Sequence, residues 1–350
     1  MKHVFLINNH MMFLMAMKVI EHEEIAPQNV ILLGVRQYPF TPEIAHKYPH
    51  NYQYNSFHIP ELGSIRALLG MALAHPRKIA DLIDSADNML KRHLANDRFH
   101  LYIPHNNGLD IEVLMSMPEC DSVSYLEEGS LAYACTPESN FRKCPFNQRA
   151  SFFLLRLLSK GRVGKLGNCN FATHLPKFSN FYCAFGDAFR GFPNRRETGS
   201  PFQTVSGLPD GLHAIIVFDG GIVPPEQIRQ SIEISCRHAA EIRHHRQIYY
   251  KFHPAQRPDG RDGWRKRFEE LSRLYGVGIN ELPDGILLEN IAFTLKDKLD
   301  VYIICSSVGI YSEYCGCNVF TSAGRFAADN PKLQRHYDLY GHIFKRYQEI

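Results

Sequence analysis

The feature that most restricts this chain is a recurring unit, a short apolar run that stops abruptly at small polar or charged residues. His3 to Ile7 stops at Asn8-Asn9-His10, Phe99 to Ile103 at Pro104-His105-Asn106-Asn107-Gly108, and Ser122 to Leu126 at Glu127-Glu128-Gly129. Val30 to Val35 is another such run. The unit returns later. Ala214 to Phe218 enters Asp219-Gly220-Gly221, Ile248 to Phe252 enters His253-Pro254, and Val301 to Cys305 enters Ser306-Ser307, with Val319–Phe320 as one more run. Amphipathic stretches lie between the runs, at Met12 to Glu23, Leu109 to Met117, Pro225 to His244 and Trp264 to Tyr275. Strands that alternate with helices predict parallel sheets covered on both faces. In such sheets, ligands gather beyond the carboxyl ends of the strands, where these polar clusters fall.

The alternation breaks once. Between residues 136 and 210 the sequence turns aromatic, basic and rich in Pro and Gly, as in Phe152–Leu158, Gly161–Gly167 and Arg190–Pro201. In a chain of 350 residues this predicts an α/β protein of two Rossmann-like domains facing each other across a cleft. The expected division is 1–150 for the first domain, 151–210 for an insertion and linker, and 211–350 for the second.

Composition removes several classes. With 45% hydrophobic and 21% charged residues, disorder, collagen-like repetition and a coiled coil are excluded. A net charge of +3 lacks the basic bias of a nucleic-acid binder. Nine cysteines, an odd number without zinc-ribbon spacing, read as reduced thiols. The apolar start is interrupted by Asn8, Asn9 and His10, unlike a signal peptide. No run reaches the roughly 18–20 apolar residues of a membrane span. A cytoplasmic protein is expected.

Four strand-end features are candidates for chemistry. Glu127 and Glu128, adjacent at the end of a strand, point to opposite faces, so only one is expected to reach a ligand. That carboxylate could take a proton from a substrate hydroxyl; a solvated acidic turn is the plainer use. In Tyr249-Tyr250-Lys251-Phe252-His253-Pro254, Lys251 and His253 share a side and Pro254 ends the strand. His253 could then donate to an anionic leaving group, with Lys251 adding charge. Ser306 and Ser307 at a strand-to-helix turn could seat a phosphate on the helix N-terminus, or simply cap it. Glu289, after an apolar run, could accept ribose hydroxyls or complement the helix dipole. Asn8, Asn9 and Asn106 lie at strand ends of the first half and join the candidate binding residues. Asp219 is a second candidate for the base, or an ordinary turn residue.

The order of these motifs is more telling than any one of them. An acid-acid-Gly element, Lys-x-His-Pro, a helix-opening Glu and Ser-Ser resemble the bacterial sialyltransferases of the glycosyltransferase-B fold, the lipooligosaccharide sialyltransferases and capsular polysialyltransferases. The resemblance covers short motifs across roughly residues 1–330. It implies inverting transfer from CMP-sialic acid, with no essential metal, to an oligosaccharide or lipid-linked glycan of the cell surface. It also implies Glu127 or Glu128 as general base and His253 as the contact to the CMP phosphate and acid for the leaving group. Ser306 and Ser307 would hold that phosphate, and Glu289 the nucleotide. The CDP-glycerol glycerophosphotransferases resemble the second half alone, and a transferase of Kdo or another CMP-linked nonulosonic acid would share the donor chemistry.

Two further readings come from other classes. His238, Glu241, His244 and His245 could suit a metal-dependent hydrolase, although the interleaved Arg237, Arg243 and Arg246 favour a charged outer face. A sugar- or nucleotide-binding protein without turnover is the third class. The run Phe152 to Leu158, which contains Arg156 and is followed by Lys160, Arg162 and Lys165, fits either peripheral contact with the inner face of an anionic membrane or packing between domains or in a homodimer. The basic, aromatic segment Lys332–Ile350 raises the same choice.

Overall fold

A computed structural model describes residues 1–34, 53–56, 77–94, 97–106, 109–141, 146–164, 169–218, 223–252 and 260–350. The chain packs as two compact units, Met1–Pro201 and Phe202–Ile350.

The first unit holds a parallel sheet of seven described strands: β1 Lys2–Ile7, β2 Val30–Gly34, β3 Gln53–Ser56, β4 Phe99–Ile103, β5 Cys120–Leu126, β6 Phe178–Cys183 and β7 Arg195–Glu197. Their order is β3-β2-β1-β4-β5-β6-β7. From β1 the chain steps outward to β2 and β3, then returns to the other side of β1 as β4. Loops leaving β1 and β4 therefore diverge, and a crevice opens at the carboxyl ends of this pair. Val4, Phe5, Leu6 and Ile7 are wholly buried, as expected of a strand covered on both faces. The helix His10–His22 follows at once, capped by Asn9, whose Oδ1 accepts from the Met12 N–H at 2.8 Å.

Residues 151–210, expected as insertion and linker, supply β6 and β7 to this sheet. Their aromatic character is that of a core. Phe171 meets Tyr125, Phe181, Phe189 and Phe192 edge-on at 5.0–5.4 Å between ring centres. The helix Phe146–Leu158 is continued by a turn in which Arg162 runs inward. Its guanidinium donates to both Asp87 oxygens at 2.7 and 2.8 Å and to Ser116 Oγ at 2.7 Å. Arg162 is thus a bridge within the unit, not one of the outward basic flanks; Lys165 lies outside the described residues.

The second unit repeats the plan with β8 Ala214–Val217, β9 Gln247–Lys251, β10 Gly278–Glu281, β11 Asp300–Ile303, β12 Asn318–Thr321 and β13 Gln348–Glu349, in the order β10-β9-β8-β11-β12-β13, all parallel. The order reverses at β8 and β11. The helix expected to reach His244 ends at Arg237 and passes into a π turn, His238–Ile242. Asp300, only 2% exposed at the start of β11, accounts for the residues that follow. It accepts from Arg243 (2.7 and 3.2 Å), His245 Nε2 (2.8 Å) and Asn318 Nδ2 (2.9 Å). A buried carboxylate needs such partners; His245 and the guanidinium of Arg243 bend onto it, while Glu241, Arg243, His244 and Arg246 remain exposed. His238 lies 3.2 Å from the Tyr302 hydroxyl.

In the segment Lys332–Ile350 most of the apolar residues pack inward while Lys332, Arg335, Lys345 and Arg346 are exposed. Leu333, Ile343, Phe344 and Tyr347 are buried, and β13 closes the sheet edge against β12. Among the described residues, no helix is long and apolar enough to cross a membrane.

These partners hold the Asp300 carboxyl at a pKa of about 2, against the ordinary 3.8, because their donated bonds outweigh the cost of burial. A depressed folded-state pKa stabilises the protein above the unfolded value, and that contribution fades as pH falls from about 4 toward 2. Urea unfolding of Asp300→Asn should show a loss of about 2 kcal/mol at pH 7. The gap to the unsubstituted protein should narrow steadily below pH 4; a gap independent of pH would contradict this account.

Candidate functional site

In the first unit, the ends of β1, β4 and β5 deliver side chains to one place. Glu128, just past β5, accepts from Asn8 Nδ2 at 2.8 Å on one oxygen and from His105 Nε2 at 3.1 Å on the other. Asn8 follows β1 and His105 follows β4, the two strands of the switch point. The Glu128 side chain is 16% exposed and that of His105 8%. The result is a carboxylate held by two donors in a largely desolvated setting, with a solvent-facing edge. The Asn8 Oδ1 is buried and has no partner among the described residues. Such an atom carries an energetic penalty.

Glu127 does the opposite. It is wholly buried, and accepts from the Tyr133 hydroxyl at 2.6 Å and the Ala184 N–H at 2.8 Å. Its carboxylate ties the β5 and β6 ends to the short helix Leu131–Ala134. The pleat thus assigns the two adjacent acids to different tasks. Gly129, at φ 147°, turns the chain away immediately afterward.

The three asparagines named from the sequence also separate. Asn8 faces Glu128, whereas Asn9 is a helix cap. Asn106 is 2% exposed; it accepts from the Tyr125 hydroxyl at 2.7 Å, and its own amide donates to Cys169 Sγ at 3.5 Å. It braces the interior. The residue that sequence reasoning did not single out is His105. Its position beside Asn106 at a strand end was the available signal, but residue type alone does not say which neighbour turns inward.

In the second unit, Ser306 accepts from the Val308 N–H at 3.3 Å and caps the helix Ser307–Tyr314, which leaves the end of β11. Both serines are partly exposed. Gly309, in the first turn, lies so close to the end of the Ile303 side chain that an added Cβ would displace it. Two strands away, at the end of β9, Lys251 is 9% exposed. Its ammonium donates to the backbone carbonyls of Asp284 (2.9 Å) and Ile286. Burial pushes its pKa down, while the nearby Glu289 and Asp284 carboxylates act the other way. Lys251 is therefore a clamp on the turn that leads into the helix Leu288–Leu295, rather than a charge offered to a ligand. Glu289 sits in the first turn of that helix, and burial raises its carboxyl above the usual range. His253, Pro254 and Asp219 lie outside the described residues. Among the described residues, no three His, Cys, Asp or Glu side chains are placed to hold a metal ion.

No protein-family model matches the chain, and no curated protein matches it. Its structure is similar to that of a sialyltransferase from Photobacterium damsela, with a TM-score of 0.51 and 12% identity over 99% of this chain and 81% of that one. A UDP-GlcNAc 2-epimerase from Methanocaldococcus jannaschii (TM-score 0.49, 12% identity, covering 97% and 92%) and MurG from Acinetobacter baumannii (0.43, 13%, 100% and 85%) also resemble it. At these identities the likeness is one of fold. The chain is an α/β protein of two Rossmann-like domains, with the glycosyltransferase-B fold.

The two acids should separate experimentally. Glu127→Ala, which strands the Tyr133 hydroxyl and the Ala184 N–H, should cost about 1–3 kcal/mol in urea unfolding. Glu128→Ala should cost less than Glu127→Ala, because the Glu128 side chain is 16% exposed whereas Glu127 is wholly buried, so water can reach part of the space it leaves. Equal losses would show that both acids are structural.

Proposed function

We propose that this protein is an inverting sialyltransferase, moving sialic acid from CMP-sialic acid to a hydroxyl of a cell-surface glycan such as lipooligosaccharide or capsule. The observation that carries the reading is the Glu128 carboxylate, oriented by Asn8 and His105 at the switch point of the first sheet. The similarity in fold to the Photobacterium damsela sialyltransferase and the motif order support it.

The chemistry suits these groups. As the acceptor oxygen bonds to the anomeric carbon, Glu128 takes the hydroxyl proton, and the bond to the CMP phosphate breaks with its electron pair passing to the phosphate. A positioned carboxylate is an appropriate base for this step. Charge grows on the departing phosphate, so preorganised donors act where they are worth most: Ser306, Ser307 and the helix start they cap, with His253 as the proton donor. Glu289 would accept ribose hydroxyls, whose donated bonds favour the ionised form that burial disfavours. Lys251 keeps the Glu289 turn in place. Glu127 and Asn106 brace the acceptor side from beneath. No step requires a metal or another cofactor. The partners are the nucleotide sugar and the glycan acceptor.

With CMP-sialic acid as donor, Glu128→Ala and His253→Ala should each lower kcat by about 10²-fold or more, the scale of general acid–base catalysis. Near-normal turnover in both would remove the assignment. Turnover should also be unchanged after prolonged treatment with EDTA; loss of rate restored by Mg²⁺ or Mn²⁺ would point to a metal-assisted transferase instead.

A further inference from the structure

Between Glu138 and Asp187 the sequence contains no aspartate or glutamate, and it contains eight lysines and arginines. In a chain with a net charge of only +3, this concentrates positive charge in one region. At its centre is the helix Phe146–Leu158. The inner side of the helix is fixed by the fully buried Leu155. The turn beyond it is fixed by Arg162, whose paired bonds reach Asp87 on the helix Arg77–Leu94. The outer side therefore has a set orientation.

Arg149, Phe153, Arg156 and Leu157 follow one another at helical spacing and share that outer side. Phe153 is 70% and Leu157 68% exposed. Arg149, Arg156 and Lys160 are exposed as well and form no ion pair among the described residues. Large apolar side chains standing in water beside unneutralised cations suit an interface that is anionic outside and apolar just beneath. There a guanidinium meets a phosphate while the neighbouring Phe and Leu enter the acyl boundary.

We propose that this face of the helix Phe146–Leu158 docks the protein on an anionic phospholipid surface. The inference stands on the first unit alone and is independent of the reaction proposed above. It is tested by sedimentation of the full chain with vesicles of phosphatidylcholine, with and without about one third phosphatidylglycerol, at low and high salt. Binding is expected only to the anionic vesicles and should weaken with salt. Combined Arg149→Glu, Arg156→Glu and Lys160→Glu should reduce partitioning at least about 100-fold, from about fivefold per charge. Phe153→Ser with Leu157→Ser should reduce it at least about tenfold. All five side chains are outward, so the unfolding midpoint and far-UV circular dichroism should be unchanged and folding separable from docking. Absent binding, equal binding to neutral vesicles, or indifference to either set of changes overturns the proposal. So does self-association of the unsubstituted chain that these changes abolish, since the face would then belong to a second copy.

Discussion

The candidate site of the first unit depends on how a single carboxylate is held. Glu128 is reached by Asn8 from the end of β1 and by His105 from the end of β4, and those strands are neighbours only because the sheet order reverses there. In a sheet wound in one direction, these loops would cross over the same face and close the crevice. The topology thus creates the opening, and the pleat selects which of two adjacent acids enters it. Glu127, one residue earlier, is spent on Tyr133 and Ala184 and makes the loop firm enough for Glu128 to be oriented at all.

The second unit uses the same device for different chemistry. Its reversal at β8 and β11 brings forward a helix start capped by Ser306, a feature suited to an anion. The supporting groups are again buried and bonded. Lys251 is a cation whose hydrogen-bonding capacity is directed to two main-chain carbonyls, and through them it fixes the approach to Glu289. On the opposite edge of the sheet, Asp300 gathers Arg243, His245 and Asn318 and anchors the start of β11.

How much of this was legible in the sequence follows from where the strands lie. β1, β2, β4, β5, β8, β9 and β11 lie inside their sheets and each carries a mainly apolar or aromatic run, and they stood out. β3 and β10 are edge strands with the polar sequences Gln53–Ser56 and Gly278–Glu281, β13 has two residues, and β6 mixes aromatic and polar residues. None carries the signal of a strand buried on both faces. Among site residues, alternation correctly divided Glu127 from Glu128. It did not reveal that Asn106 would be interior and His105 the partner, because a loop has no fixed period. Nor could residue type show that Lys251 answers backbone carbonyls 33 and 35 residues away.

The central claim of the proposed function is that Glu128 is the base in a transfer from a CMP-linked sugar. A donor panel tests it most directly: release of CMP or the corresponding nucleotide from CMP-sialic acid, CMP-Kdo and CDP-glycerol, with and without lactose or a sialylated oligosaccharide. The account predicts acceptor-dependent CMP release from CMP-sialic acid that exceeds release from the other donors and disappears in Glu128→Ala. Preference for CDP-glycerol or CMP-Kdo, or release that persists without Glu128, would contradict it.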